Sequence, residues 1–318
     1  METGLSSDLS LGARVDLGSL PPQEPYSPAA RARKARQTRN QIRILRRLTD
    51  RKRAPDEFLE ILGNMLDGTL SKGAYLRDVT FYRARQMGND LFRHVSNLGY
   101  PPHGKTSKGR LNREGDPILY AAFSPAAALV EIQARTRQII AIAVIEELPG
   151  HADQVQFFPV GIPPSGLYAT PVRDTRERLV QEYLYGEITK RVDAGSEHQY
   201  NSTIAIADNF LSKPVLRPRD GVRLAAGLIY PSVRAGQHLD ENSYNIALKP
   251  HVFDAHYKIA EVTAYVAIST SQSDFRIERL NKATVRENGC LEWDYSTFTA
   301  MVSAYPFLQD YLRRSRNP

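Results

Sequence analysis

The stretch GRLNREGDPILYAAFSPAAALVE, residues 109–131, decides the local fold of this chain. Its apolar run ILYAAF, at 118–123, is typical of a β-strand. Ser124 stands where a helix N-cap residue is expected, Pro125 stands at the first helical position, and alanines follow. The sequence therefore predicts a strand that turns directly into a helix, with Glu131 about two turns along it. Taken alone, the stretch favours a surface corner with a solvated Glu131.

Length and composition set the broad class of the protein. The chain has 318 residues, 42% of them hydrophobic, which suffices for one large domain or two small ones. The single cysteine, Cys290, excludes a disulfide framework and a thiolate metal cluster, and it favours a reducing, cytoplasmic location. No window approaches the roughly 18 apolar residues of a spanning helix, and the N-terminal region lacks an apolar signal core. We therefore expect neither a membrane span nor a standard secretory signal.

The positive charge is concentrated in residues 31–53. This segment holds 11 Lys or Arg residues and one Asp, a net charge of +10, which leaves −3 of the total +7 for the rest of the chain. The overall basicity is therefore a poor argument that the body of the protein binds nucleic acid. We predict that residues 1–54 form a disordered, basic extension, in which 31–53 can become helical, and that the folded domain spans 55–318.

Hydrophobic periodicity beyond residue 55 predicts helices and strands without regular βαβ alternation. Residues 149–173 are rich in Pro and Gly and are expected to be an irregular connection. This order of elements predicts an α+β fold. Strands are predicted at 80–85, 118–123, 138–146, 227–231, 244–248, 261–268 and 275–280, and helices at 55–67, 124–137, 175–192, 202–211 and 295–312.

Several common catalytic and nucleotide-binding motifs are absent from the sequence. It contains no GxGxxG, so no dinucleotide fingerprint is visible. The string GYPPHGKT, at 99–106, fits GxxxxGK[ST], but it lies in a segment, 89–108, that is predicted to be loop, whereas a P-loop joins a strand to a helix. It contains no HExxH and no GxSxG, which disfavours a metal-dependent or a common serine hydrolase. Four histidines remain candidates for acid–base groups, namely His103, His238, His251 and His256. An isolated histidine in a loop is, however, more often structural or solvated than catalytic.

Three separated segments together resemble the RES domain family, which is named for an Arg, a Glu and a Ser. The segments are FYRAR, then the stretch 109–131, then GLIYPSVRAGQ followed by NIAL, and the similarity runs from about Tyr82 to about Leu248. The positions that match the family are Arg83 in the first segment, Arg110, Asn112, Tyr120 and Glu131 in the second, and Ser232 and Asn245 in the third.

The chain departs from compact members of this family in four ways. Leu111 replaces the usual aromatic residue, and residues 114–116 replace the usual turn. A long insertion at 149–225 separates Glu131 from Ser232, and the first 55 residues have no counterpart. These departures bear on substrate choice and regulation more than on the core chemistry.

The resemblance implies both a fold and an activity. The fold is similar to that of the NAD-binding ADP-ribosyltransferase toxins, with a mixed β-sheet core and flanking helices. The activity is breakdown of NAD⁺, as substrate and without a metal, at the nicotinamide–ribose bond by hydrolysis or phosphorolysis. Compact members are bacterial toxins that deplete NAD⁺ and are held in check by a helix-turn-helix antitoxin, which is the partner that the resemblance implies here.

The residue types at the matching positions suit that chemistry. A fixed carboxylate, here Glu131, stabilises the oxocarbenium character that develops on the ribose. Arginine matches phosphate oxygens bidentately, so Arg83 and Arg110 are expected to bind the pyrophosphate. Tyr120 is expected to stack on the nicotinamide or to bind the ribose. Ser232 is expected to orient Glu131 or to bind the ribose, rather than to act as a nucleophile, since no histidine partner is apparent.

The catalytic set implied by the resemblance is Arg83, Glu131 and Ser232, and the NAD⁺-binding set is Arg83, Arg110, Tyr120 and Ser232. The two asparagines, Asn112 and Asn245, are expected instead to brace loops through hydrogen bonds to the backbone.

Two other functions remain open at this point. The same site can transfer ADP-ribose to a protein or nucleic acid, with the insertion at 149–225 forming an acceptor surface. The chain can also be a non-enzymatic protein that binds nucleic acid or an acidic partner through residues 31–53.

Overall fold

One large β-sheet with helices packed on it forms the centre of the described part of the chain. The computed structural model describes residues 27–67, 73–74, 76, 78–88, 90–150, 155–166, 168–169, 172–212, 214–217, 221–233, 243–270, 275–294, 296, 305 and 308. Within this set, only the backbone is described for residues 214–217, 221–224, 270 and 275.

The described strands and helices alternate irregularly along the chain. The strands are β1 (Phe81–Gln86), β2 (Leu119–Ala122), β3 (Ile139–Glu147), β4 (Phe157–Pro159), β5 (Pro214–Arg217), β6 (Gly221–Leu224), β7 (Gly227–Pro231), β8 (Tyr244–Leu248), β9 (Tyr257–Thr270), β10 (Phe275–Val285) and β11 (Leu291–Trp293). The helices are α1 (Pro28–Asp50), α2 (Asp56–Leu66), α3 (Pro125–Glu131), α4 (Thr175–Ile188), α5 (Tyr200–Leu211) and α6 (Pro250–His256).

Nine of these strands form a single mixed sheet in the order β11-β10-β9-β3-β1-β2-β8-β7-β4. Neighbouring strands are antiparallel except β4 and β7, which are parallel. Strands β5 and β6 pair separately as an antiparallel hairpin. The predicted α+β class is confirmed. None of the described helices is long and apolar enough to cross a bilayer.

The sheet is opened between β1 and β2. β1 pairs with β3 over six residues, but its pairing with β2 is limited to Tyr82 opposite Ala122. If the antiparallel ladder continued, Ala84 would lie opposite Tyr120, yet Tyr120 pairs only with Ala247 of β8 on its other side. Backbone groups at this opening need partners other than the ladder.

Five of the six described helices pack on one face of the sheet, in two groups. Helices α1, α2, α4 and α5 enclose a core that includes Leu228 and Ala247 of the sheet, with Tyr120 packed against it. Helix α3 packs over β1 and β2, in a second core that includes Ala122. Tyr120 and Ala122 are two residues apart on β2 and so point to the same face. The two helical groups therefore stand side by side on this face, with a gap between them over β1, β2 and β8.

Helix α1 is part of the packed structure, which corrects the predicted start of the folded region at residue 55. Its residues Ala35, Thr38, Ile42 and Leu45 are buried, Leu45 completely, and the helix contacts α2, α4 and α5. The 3.6-residue period of the helix aligns these four side chains on one face, and their burial holds the helix against the protein although the residues around them are charged. Residues 1–26 lie outside the described residues.

Most predicted elements exist, and the differences lie where the sequence signal is short. The connection 149–173 contains β4, and the segment between β8 and β9 contains α6, which was not predicted. A strand of three residues and a helix of seven are too short for periodicity to identify. The helix predicted at 295–312 lies mostly outside the described residues.

Candidate functional site

The end of helix α3 positions Glu131. Ser124 caps the helix, since its Oγ accepts a hydrogen bond from the Ala127 N–H at 3.1 Å, and Pro125 is the first helical residue. Both features were predicted from the sequence. The helix ends at Glu131, which places this carboxylate at the edge of the gap between the two helical groups. Glu131 is partly buried rather than a solvated surface residue.

Two side chains from distant strands hold one oxygen of the Glu131 carboxylate. The Ser232 hydroxyl donates to Oε1 at 2.6 Å, and the Asn245 amide Nδ2 donates to the same atom at 2.7 Å. Ser232 directly follows β7, and Asn245 lies on β8, where it pairs with Tyr230. Ser232 and Asn245 are each 2% exposed. Within the described residues both hydrogen bonds to this carboxylate are accepted by Oε1, and Oε2 has no hydrogen-bond donor.

Asn245 differs from its predicted role. The sequence suggested that it braces a loop, whereas its Nδ2 binds Glu131 and its Oδ1 is buried without a hydrogen-bond partner among the described residues. Asn112 does brace a loop as predicted, because its Nδ2 donates to the carbonyls of Ser107 and Arg113. A buried amide with one open acceptor inside a cavity is typical of a ligand contact.

Arg83 lies at the opening between β1 and β2. One Nη of its guanidinium donates to the carbonyl of Tyr120, the strand residue that has no ladder partner on this side. Its Nε is buried and has no acceptor within the described residues. Burial, followed by the charge of Arg85, lowers the pKa of Arg83 to about 10, so the group is still a cation at neutral pH. Arg83 therefore brings a positive charge with unused donor capacity to the cavity.

The hydroxyl of Tyr120 is used within the protein. It donates to Asn112 Oδ1 at 2.8 Å and accepts from the Leu111 N–H at 3.0 Å. Burial raises the pKa of this phenol, which stays neutral. These bonds hold the 109–113 loop against β2 and use the hydroxyl within the protein, while Tyr120 also lines the cavity.

The guanidinium of Arg110 is likewise bonded within the protein. One of its Nη atoms donates to the carbonyls of Ile188 and Lys190, at 2.7 and 2.9 Å, and the group lies 5.4 Å from the centre of the Tyr200 ring. Arg110 thus ties the C-terminal end of α4 and the start of α5 to the 109–113 loop. The phosphate-binding role predicted for Arg110, like the ligand contact predicted for Tyr120, stays a prediction.

These residues surround a cavity of about 1150 Å³ in the gap between the helical groups. Arginines outnumber carboxylates in its lining, which favours an anionic ligand. Of the described histidines that the sequence suggested as acid–base groups, none lines it, and His238 lies outside the described residues. Within the described residues, no three His, Cys, Asp or Glu side chains are grouped as metal ligands. The charged lining residues are Arg83, Arg110, Arg135, Arg191, Glu131 and Asp193, and the tyrosines are Tyr82, Tyr120, Tyr200 and Tyr230.

Comparison with known protein families places this site in a family. A sequence model of the RES domain matches residues 80–269, which contain Arg83, Glu131 and Ser232. The chain belongs to the RES domain family. Searches of curated proteins and of solved structures found no match. Membership is consistent with an NAD-related enzymatic role.

The cavity lining of this RES domain includes residues that the sequence did not single out. Tyr230 lies on β7 two residues before Ser232, and this spacing was the signal for it, since residues two apart along extended chain point to the same side. Burial and the negative charge of Glu131 raise the pKa of Tyr230 well above its usual value. Arg191 and Tyr200 come from the insertion at 149–225, and no local pattern indicated that they reach the cavity.

Proposed function

We propose that this RES domain cleaves the nicotinamide–ribose bond of NAD⁺, with water or phosphate as the acceptor. One observation carries the proposal: the Glu131 carboxylate is held by Ser232 and Asn245 at the wall of a large cavity rich in arginine. A dinucleotide fills a space of several hundred Å³, and the cavity of about 1150 Å³ has room for it.

The fixed carboxylate suits the bond that breaks. The electron pair of the glycosidic C–N bond leaves with nicotinamide, which departs as a neutral molecule and needs no strong general acid. Positive charge then develops on the ribose carbon, and the Glu131 carboxylate stabilises it or orients a ribose hydroxyl. An oxygen of water or phosphate forms the new bond to this carbon, and in the hydrolytic reaction water also releases a proton.

The hydrogen bonds around Glu131 support an orienting role for Ser232. Its hydroxyl donates to the carboxylate at 2.6 Å, and no described histidine lines the cavity to activate it. Serine needs such a base to act as a nucleophile. Ser232 and Asn245 together fix the carboxylate before the substrate arrives, which is the arrangement that electrostatic catalysis requires.

Arginine in the lining supports recognition of the two pyrophosphate charges. Arg83 has a buried Nε without an acceptor among the described residues, and it stays cationic because its pKa, although lowered, is about 10. Arg135 and Arg191 are exposed side chains in the lining of the cavity. Arginine binds phosphate oxygens through two parallel hydrogen bonds, which a lysine cannot form.

A second reaction of the same site is transfer of ADP-ribose to a protein or nucleic acid. Residues 191–194 and Tyr200, from the insertion, line the cavity, which supports the insertion as part of an acceptor surface. Labelled NAD⁺ distinguishes the two reactions. A label that ends only in free ADP-ribose or its phosphate argues against transfer to a macromolecule.

The first experiment is consumption of NAD⁺ by the purified full chain, with and without phosphate, with the products identified by mass. Free nicotinamide together with ADP-ribose identifies hydrolysis, and ADP-ribose 1″-phosphate identifies phosphorolysis. The variant Glu131→Gln keeps the size of the side chain and its hydrogen bonds but removes the charge, so NAD⁺ loss should stop while the fold persists. Undiminished NAD⁺ loss in this variant would remove Glu131 from the mechanism.

The same activity in a cell makes the chain a toxin that halts growth by depleting NAD⁺, with a helix-turn-helix antitoxin as its implied partner. Expression of the wild-type chain should lower the NAD⁺ pool and stop growth, and expression of Glu131→Gln should do neither. Growth arrest by the charge-neutral variant would separate toxicity from NAD⁺ breakdown.

A further inference from the structure

Helix α1 presents a row of arginines on the side that does not pack. Ala35, Thr38, Ile42 and Leu45 face the protein and are buried, so the helix has a fixed orientation. The exposed side chains repeat at intervals of three and four residues, which aligns them along one face of the helix over about 16 Å. The arginines of this row, which we call the arginine face, are Arg36, Arg39, Arg43, Arg46 and Arg47, and all are exposed.

The arginine face is not neutralised within the described part of the chain. Arg43 donates to Asn40 Oδ1 at 2.7 Å, and within the described residues none of the five forms an ion pair. Like charges four residues apart, such as Arg39 with Arg43 and Arg43 with Arg47, destabilise a helix. These charges therefore destabilise the helix on which they stand, and no described residue compensates them with an ion pair, so the face is available to an anionic partner.

The residue types point to a phosphate partner. Of the 11 basic residues in 31–53, nine are arginine and two are lysine. Arginine is favoured over lysine where phosphate oxygens are bound through paired donors. A membrane surface fits less well, since a helix that lies in a bilayer interface inserts an apolar face. The apolar face of α1 is already buried against the protein, and none of the exposed residues between 31 and 47 is a large apolar one.

We propose that the arginine face of α1 binds duplex nucleic acid through its backbone phosphates, independently of the cavity. The exposed polar residues that could read base edges are few, chiefly Gln37 and Asn40, so binding is expected to depend on salt and not on sequence. Helix α1 precedes the matched RES domain and contributes no residue to the cavity lining. The proposal therefore does not rest on NAD⁺ chemistry.

Substitutions test this surface better than truncation does. Deleting α1 would expose the apolar surfaces of α2 and α4 that it covers. The quadruple variant R36Q/R39Q/R43Q/R47Q removes four charges from exposed positions and keeps good helix-forming residues. A matched control, R93Q/K258Q/R276Q/R279Q, removes four exposed charges elsewhere on the described surface.

The measurement is fluorescence anisotropy of a labelled DNA duplex of about 20 base pairs with the full chain, between about 50 and 200 mM salt. For the arginine-face variant we expect at least about a tenfold loss of affinity and a salt slope shallower by about 3 to 4, the value for four phosphate contacts. The control variant should stay within about twofold of wild type. Both variants should consume NAD⁺ at the wild-type rate and should keep the wild-type circular dichroism spectrum.

Three results would overturn the proposal. The wild-type chain could fail to bind the duplex at the lowest salt, or the two variants could lose affinity equally, which would mean that net charge alone acts. Poly-glutamate or phosphatidylserine vesicles could bind more tightly than the duplex at equal salt, which would assign the face to an acidic protein or a membrane.

Discussion

The hydroxyl of Ser232 and the carboxylate of Glu131 lie 2.6 Å apart, although 101 residues separate them in the sequence. Glu131 ends a helix, and Ser232 follows a strand, so each is fixed by a different rigid element. The hydrogen bond therefore links helix α3 to the end of strand β7 at the cavity. It sets the orientation of the carboxylate before any ligand enters.

Replacement of Ser232 by alanine tests this orienting role. The variant keeps the charge of Glu131 but removes one of its two donors, so we expect kcat to fall by about tenfold to 100-fold, the effect of slight misplacement of a reacting group. KM should change little. Steady-state kinetics of NAD⁺ consumption give both constants.

Ser202→Ala is the matched control for this experiment. Ser202 is buried and also donates to a carboxylate, Glu187 Oε2, at 2.6 Å, but outside the cavity lining. This variant should lose stability without losing kcat. Equal loss of kcat in the two variants would mean that a general loss of packing, and not the orientation of Glu131, explains the Ser232 result.

The parts of the site that were predictable from sequence depend on contacts within a few residues. Ser124 and Pro125 identify the start of α3 because a capping residue binds an N–H three positions away. The pairing of Asn245 with Glu131 joins residues 114 apart, so no spacing in the sequence indicated it. The position of Arg191 in the cavity lining depends on how a long insertion folds back, which is likewise a property of tertiary packing.

Arg83→Lys should reduce NAD⁺ consumption although it conserves the charge. The guanidinium binds the Tyr120 carbonyl and has a further buried donor, whereas an ammonium group lacks the planar arrangement that serves both. We expect KM to rise by about tenfold or more, since phosphate recognition is lost in the substrate complex and in the transition state alike.

The pH profile adds a second readout for Arg83. Burial disfavours the charged form and lowers the pKa of Arg83 to about 10. The same burial should lower the pKa of a lysine from its usual value of about 10.4, so the variant should lose activity at a lower alkaline pH than wild type does. Arg85→Lys is the control, since one Nη of Arg85 donates to the Asn97 carbonyl away from the cavity. A similar loss in the control would contradict a specific role for Arg83.

Tyr120→Phe should affect stability more than catalysis. The hydroxyl satisfies the Leu111 N–H and Asn112 Oδ1, and its removal leaves both without this partner. We expect the free energy of unfolding to fall by about 1 to 3 kcal/mol, as measured by urea denaturation. The aromatic ring is retained, so kcat should stay within about threefold of wild type at a temperature where both proteins are folded. A large loss of kcat without loss of stability would instead assign the hydroxyl to the substrate.

Asn245→Asp turns the amide that holds Glu131 into a second carboxyl group at the same place. Two carboxylates this close cannot both ionise at their usual pKa, so the pair should keep one shared proton well above the normal range. In that state the protonated group donates to its partner as the amide did, at 2.7 Å in the wild type.

As the pH rises through the raised pKa of this pair in Asn245→Asp, the proton is lost, the donor disappears and the two charges repel. The variant should therefore approach wild-type activity at acidic pH and lose it as the pH rises, whereas Asn245→Ala should be impaired equally at every pH. A pH–rate profile of Asn245→Asp parallel to that of wild type would contradict a direct hydrogen bond between Asn245 and Glu131 in the active protein.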